Sequence, residues 1–207
     1  MQLLAREDAR AALLVGTGAQ ARTQVLALDA ARELERIGVF GRRTDAAREL
    51  VAELQGQVRA SLEVVSELRP ALGEADVVAT ATPSEEPLFS LEDLAPGTHL
   101  SCVGSFTPAM RELDVETVAA ASVFVDQRAA AEVEAGELIA ARDAGRSRPE
   151  NWIEVGEVEL GRHPGRRGPG ELTLFKSVGL AAQDVVVAAA ALASPRLAGT
   201  KVCFTGE

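Results

Sequence analysis

The clearest pattern in the chain is an unbroken apolar run, Ala11 to Val15, which predicts a buried parallel strand. Gly16-Thr17-Gly18 ends it, and a helical pattern over 20–36 follows at once, with Val25, Leu26, Leu28, Ala31 and Leu34 on one face. Residues 37–40 predict a second strand, 41–45 a turn and 46–55 a second helix. Further strands are expected at 57–60, at 74–82 closed by Pro83, at 97–103 closed by Gly104, and at 121–125. Strands that alternate with helices in this way predict an α/β fold, a doubly wound Rossmann-type parallel sheet.

Beyond residue 125 the pattern changes. Residues 128–142 predict one helix rich in Ala and Glu, and 143–151 a polar loop that Trp152 anchors. Residues 163–170 are too rich in Gly and Pro for regular structure, so Arg162, Arg166 and Arg167 are expected on a flexible basic loop. A short strand is expected at 172–175 and an apolar helix at 177–193 with Ser177 as its N-cap. The tail, 200–205, suits an edge strand, and residues 1–10 suit the tail of a helix or a frayed arm. The chain thus divides into an arm (1–10), a doubly wound domain (11–150) and a C-terminal segment (151–207) that completes it.

Composition narrows the class. A chain of 207 residues, 47% of them hydrophobic, can build one good core with an appendage. The net charge of −10 disfavours nucleic acid and anionic membrane as partners, so any phosphate-binding charge must be local. Cys102 and Cys203 form no disulfide framework, and with His99 and His163 they show no metal-ligand spacing. His99 is expected in the core or at a sheet edge, and Cys102 as a buried small hydrophobe. With no membrane-length apolar run and no leader pattern, a cytoplasmic protein is expected.

The candidate chemistry sits where the first strand meets the first helix. Gly16, Gly18 and Ala21 fit G-x-G-x-x-A, the dinucleotide-binding fingerprint. Gly16 permits the tight turn, Gly18 lets a pyrophosphate approach the backbone, and Ala21 lets helix and strand pack closely. The N–H groups around Thr17, Ala19 and Gln20 then face the phosphates at the positive end of the helix dipole. At the end of the second strand stand Arg42, Arg43 and Thr44, and Asp45 comes later. An acidic residue there would take the ribose hydroxyls of NAD(H), whereas arginines and a hydroxyl suit the 2′-phosphate of NADP(H). NADP(H) is therefore expected, with NAD(H) as the alternative. Two solvated arginines at a helix start are the bland reading. Thr80, Ala81 and Thr82, with Val103 and Gly104, end the fourth and fifth strands, where such sheets bind ligands.

Several motifs in order resemble one family. They are 15–21 (VGTGAQA), 75–83 (ADVVATATP), 103–108 (VGSFTP) with Met110-Arg111-Glu112-Leu113, 134–137 (EAGE) and 173–179 (TLFKSVG). Together they resemble the ornithine cyclodeaminase/μ-crystallin family. The resemblance implies a second domain, built mostly from N-terminal sequence, that binds substrate and forms a homodimer. It implies that this segment is absent here and that 151–207 is partly its remnant. It places Glu134 at the border of the substrate pocket and has Ser177 facing the ligand; Lys176 and Ser177 stand between a short strand and a helix N-terminus, where N–H groups could meet a substrate anion. A solvated face made by Glu132, Glu134 and Glu137 is the alternative for the first. For Lys176 the alternative is a lysine snorkelling from a strand end.

In the ornithine-cyclising members an Asp follows the fifth strand, and Phe106 stands at that position here. Phenylalanine cannot act as a general base. The resemblance therefore favours the branch that reduces cyclic ketimine acids such as Δ1-pyrroline-2-carboxylate and Δ1-piperideine-2-carboxylate with NADPH. Ornithine cyclodeamination and a non-catalytic nucleotide-binding remnant are the alternatives. No residue is assigned a catalytic role, and the apolar segments 177–193 and 201–205 are expected to self-associate or to leave the chain marginally stable.

Overall fold

A computed structural model describes residues 1–194. In chain order its first half holds β1 (Ala11–Val15), α1 (Ala21–Ala31), β2 (Arg36–Phe40), α2 (Thr44–Leu54), β3 (Ser61–Val64), α3 (Leu68–Gly73), β4 (Val77–Thr80) and β5 (His99–Cys102). The second half holds α4 (Val115–Ala120), β6 (Ser122–Val125), α5 (Arg128–Glu134), α6 (Gly136–Asp143), β7 (Ile153–Glu154), α7 (Val155–Glu159), β8 (Thr173–Lys176) and α8 (Ala181–Ala193). The strands form one parallel eight-stranded sheet in the order β3-β2-β1-β4-β5-β8-β6-β7.

Every residue of β1 is buried because helices cover both faces of the sheet. Leu13 and Val15 pack on one side with Leu72, Val118 and Leu138 from α3, α4 and α6 and with Trp152 just before β7. Ala12 and Leu14 pack on the other with Val25, Leu28, Leu50 and Leu54 from α1 and α2. The two-residue alternation of a strand thus feeds two cores at once. Trp152 is buried and its indole N–H donates to Ser147 Oγ at 2.8 Å, which anchors the preceding loop as expected.

Several boundaries differ from the sequence expectation. The third strand lies at Ser61–Val64, not 57–60. Gly56 turns the chain with φ +80, and the Asp29 carboxylate takes the N–H groups of Arg59 and Ala60, so 57–60 is the connection. The first helix stops at Ala31, because Glu35 and Arg36 already donate to Arg10 at the sheet. The helix expected over 128–142 breaks at Ala135, whose ψ is 93°. Gly136 there lies so close to the Met110 carbonyl that a Cβ would sit 2.0 Å from its oxygen. The last helix begins at Ala181, so Ser177 is not its N-cap.

Two segments expected to be loose are instead held. In the arm, Leu4 is buried and its carbonyl accepts from Arg166 Nε at 2.7 Å and from the Thr173 hydroxyl at 3.2 Å. Arg166 also donates to Thr173 Oγ1 at 2.8 Å, and Arg167 pairs with Glu171, so the basic loop is a clasp between arm and sheet. His99 lies in the core beside this clasp, with Nδ1 2.9 Å from Thr173 Oγ1. Burial holds its pKa well below the ordinary histidine range. Elements the periodicity did not show are α3, α4, β7 and α7, all six residues or fewer. The strand expected at 200–205 lies outside the described residues, as does Cys203. Among the described residues no helix is long and apolar enough to cross a membrane.

Candidate functional site

The C-terminal ends of β1, β2, β4, β5 and β8 open onto two neighbouring clefts, of about 270 Å3 and about 620 Å3. Both are lined by Gly18, Ala81, Thr82 and Pro83, so they form one trough across the sheet end. Arg42, Arg43 and Leu88 line one arm of it. Val103, Phe106, Ser177 and Gly179 line the other. This is the edge at which open α/β sheets bind ligands.

The turn from β1 to α1 needs its glycines for separate reasons. Gly16 has φ +127, and a Cβ on it would lie 2.5 Å from the Ala81 carbonyl oxygen. Gly18 has nothing within 4 Å of its Cβ position, so the space above it is open to a ligand. Ala21 is fully buried against the sheet. The N–H groups of Gly18, Ala19 and Gln20 donate to no protein acceptor among the described residues. Thr17 lies at the same turn, its methyl against Gly41. The fingerprint residues therefore stand in the expected arrangement, and the turn fits a pyrophosphate.

Arg42 and Arg43 are exposed on the trough wall and make no ion pair among the described residues. Thr44 is the first residue of α2 and lines neither cleft. Asp45 pairs with Arg48 at 2.8 Å. At β4 the expectation needs correction for Thr80, which is fully buried beneath the trough and faces Cys102 across the β4–β5 pairing. Ala81 and Thr82 reach the surface of the trough in its place.

A buried carboxylate organises this end of the sheet, and sequence reasoning did not assign it. Glu112 Oε1 accepts from Thr82 N at 2.8 Å and Thr82 Oγ1 at 3.0 Å, and Oε2 accepts from Gly104 N at 2.9 Å. It thereby ties the segment after β4 to the segment after β5. Gly104 has no room for a side chain, since a Cβ would lie 2.2 Å from Thr82 N and 2.4 Å from Glu112 Oε1. Burial raises the Glu112 carboxyl above the usual carboxylate range, and the Lys176 charge opposes that rise. The available signal was its place in the Met110-Arg111-Glu112-Leu113 motif.

The substrate-side residues fall differently from expectation. Glu134 ends α5 exposed and lines neither cleft. Glu137, expected on a solvated face, is buried, because the break at Ala135 turns α6 inward. Lys176 does not snorkel: its side chain is buried, and Nζ donates to Ser105 O at 2.6 Å and lies 3.4 Å from Glu137 Oε1. Ser177 does line the trough, with its hydroxyl donating to Asp126 Oδ2 at 2.8 Å. The same oxygen accepts from Val178 N and Gly179 N, so Asp126 at the end of β6 shapes the wall beside Ser177. None of the side chains lining the larger arm titrates.

The fold and this site can be set beside known proteins. The family model described as ornithine cyclodeaminase/mu-crystallin family matches residues 1–194. The chain belongs to this family. Among its relatives, the Δ1-pyrroline-2-carboxylate reductase of Bacillus cereus is 35% identical over 187 residues, which is 89% of this chain and 57% of that protein. The structure of the Thermococcus litoralis Δ1-pyrroline-2-carboxylate reductase in complex with NADH and L-proline superposes with a TM-score of 0.87. It is 32% identical and covers 91% of this chain and 58% of that one. An archaeal alanine dehydrogenase dimer with bound NAD gives a TM-score of 0.84 at 33% identity, covering 91% of this chain and 58% of that one. The chain thus spans less than three fifths of the length of each of these family relatives.

Proposed function

We propose that this chain carries the NADP(H) site of a reductase acting on the C=N bond of a cyclic imino acid, of the Δ1-pyrroline-2-carboxylate or Δ1-piperideine-2-carboxylate type. The observation that carries the reading is the trough, with a phosphate-binding turn and free arginines at one end and no titratable group at the other. A bound reduced nicotinamide would supply the hydride. The N–H groups of Gly18, Ala19 and Gln20 hold the pyrophosphate, aided by the α1 dipole. Arg42 and Arg43 take a 2′-phosphate, and Asp45 is engaged by Arg48 rather than facing a ribose. Phe106, 53% exposed, supplies an apolar face at the reacting end. A substrate amine finds no carboxylate base on that wall, which favours reduction of a preformed imine over cyclisation of ornithine. The relatives' complexes contain NADH or NAD, so NAD(H) is the cofactor against which NADP(H) is tested.

The reaction is assigned to the reducing cytoplasm, and the protein is assigned a homodimer in which α8 is covered. Val185, Val186 and Val187 of that helix are each 67% exposed in the single chain. Light scattering checks the assembly. The functional test is loss of NADPH absorbance with Δ1-pyrroline-2-carboxylate, run beside an ammonia assay with ornithine. Imine-dependent NADPH consumption without ammonia release supports the proposal. Ammonia release from ornithine would replace it with cyclodeamination, and nucleotide binding without turnover would leave a binding module.

A further inference from the structure

Residues 102–106, the end of β5 and the turn after it, form the wall of the larger arm of the trough through Val103, Gly104 and Phe106. Their inner side rests on buried charge. Lys176 Nζ donates to Ser105 O at 2.6 Å and to Cys102 O at 3.4 Å. Glu137 Oε2 accepts from Ser105 Oγ at 2.5 Å, and its other oxygen lies 3.4 Å from Lys176 Nζ. The side chains of Lys176 and Glu137 are both 0% exposed. One ion pair therefore fixes the carbonyl and the hydroxyl of Ser105 together, immediately before Phe106.

We propose that the Lys176–Glu137 pair is the positioning element for the turn that receives the nicotinamide and the imine, and that neither residue touches a ligand. This rests on the nucleotide reading above. Stability alone is a poor account of the pair. Removing an ammonium and a carboxylate from water costs more than burying apolar side chains of the same volume, which often serve a core better. Apolar groups cannot bond a carbonyl and a hydroxyl of the same residue from two sides, whereas buried polar groups that hold both specify one arrangement. The break at Ala135 has the same consequence. The approach of Gly136 to the Met110 carbonyl starts a new helix at that point, and the first turn of that helix brings Glu137 under Ser105. Glu112 holds the neighbouring Gly104 N–H, so the turn is clamped at consecutive residues.

The test compares Lys176→Met, Glu137→Gln and the double variant with the unaltered chain. Urea midpoints, hydrogen exchange of amides 103–106, and affinities for NADPH and for 2′-phospho-ADP-ribose are measured on each. Each single variant leaves one buried charge without its partner and lowers the midpoint, and the double variant regains most of it. In the double variant the amides 103–106 exchange at least ~10-fold faster while β1 amides are unchanged. NADPH binds it at least ~10-fold more weakly, and 2′-phospho-ADP-ribose, which lacks the nicotinamide end, stays within about 2-fold. Ser105→Ala, which removes one anchor and leaves the charges paired, gives a smaller loss in the same direction and covers the case of a double variant that does not fold. Recovery of exchange protection and NADPH affinity together with the midpoint would overturn the proposal, because the pair would then be structural only. An unaltered chain that binds neither nucleotide would sink the nucleotide reading, and the exchange measurement would still decide the role of the pair.

Discussion

The two arms of the trough are built on opposite principles. At the β1–β2 end the chain makes room: Gly16 and Gly18 omit side chains, and Arg42 and Arg43 stand free on the wall. At the β5–β8 end the chain fills space with charge: Glu112, Glu137 and Lys176 are buried and hold the backbone of 102–105 and Thr82 from inside. The first arm leaves the N–H groups of Gly18, Ala19 and Gln20 without a protein acceptor among the described residues, which is the basis of the proposed phosphate site. The second shapes a non-titrating wall by holding Thr82, Gly104 and Ser105 from behind. On the proposed reading, affinity for phosphate and precision at the reacting end belong to separate sets of residues and are separable by mutation.

The strongest break comes at Gly104. A methyl there meets Thr82 and Glu112 well inside contact distance, and Gly104→Ala is expected to destabilise the chain by roughly 3 kcal/mol or more in urea unfolding. Glu112→Gln comes next, with a loss of about 1–3 kcal/mol, because one acceptor oxygen becomes a donor facing N–H groups. Its pH dependence has a defined sign. The folded carboxyl is raised, so above the ordinary glutamate value of about 4.3 the native chain still holds a proton that the unfolded chain has released. The stabilisation from Glu112 is thus fully present below that value and is lost as pH rises through the raised one. The stability gap between wild type and Glu112→Gln should be largest near pH ~4 and shrink toward neutrality. A gap that widens with pH would contradict the assignment.

Gly18→Ala sharpens the contrast with Gly104. No protein atom lies within 4 Å of the added methyl, so urea stability should change by less than about 1 kcal/mol while nucleotide affinity falls. The smallest effect is expected far from the trough. Arg146 makes two 2.7 Å contacts to Glu116 in an exposed pair, and Arg146→Ala should cost about 0–1 kcal/mol.

The same contrast explains what could be read from the sequence. Gly16, Gly18 and Ala21 act within one turn, so their spacing is local and visible, and the alternation of strands followed from the apolar runs. The other arm draws on residues 82, 102–105, 112, 137 and 176, which lie far apart in the chain, and Lys176 reaches Ser105 because β8 inserts between β5 and β6. Nothing in a linear pattern shows that insertion. Glu137 looked like part of a solvated face because the break at Ala135 comes from contact with the distant Met110 carbonyl. Lys176 looked like a ligand residue for the same reason: its strand is central rather than peripheral. Thr80 was one position too early for the trough, because β4 stays buried up to its last residue.

The proposed preference for NADP(H) over NAD(H) rests on the free arginines beside the phosphate turn. It is tested most directly by titrating the chain with NADPH and with NADH, following nicotinamide fluorescence, and repeating both with Arg42→Ala and Arg43→Ala. Tighter binding of NADPH, an approximately 10-fold or greater loss in at least one variant, and NADH affinity within about 3-fold throughout are expected. Equal or tighter NADH binding, with NADPH indifferent to both arginines, would contradict that preference.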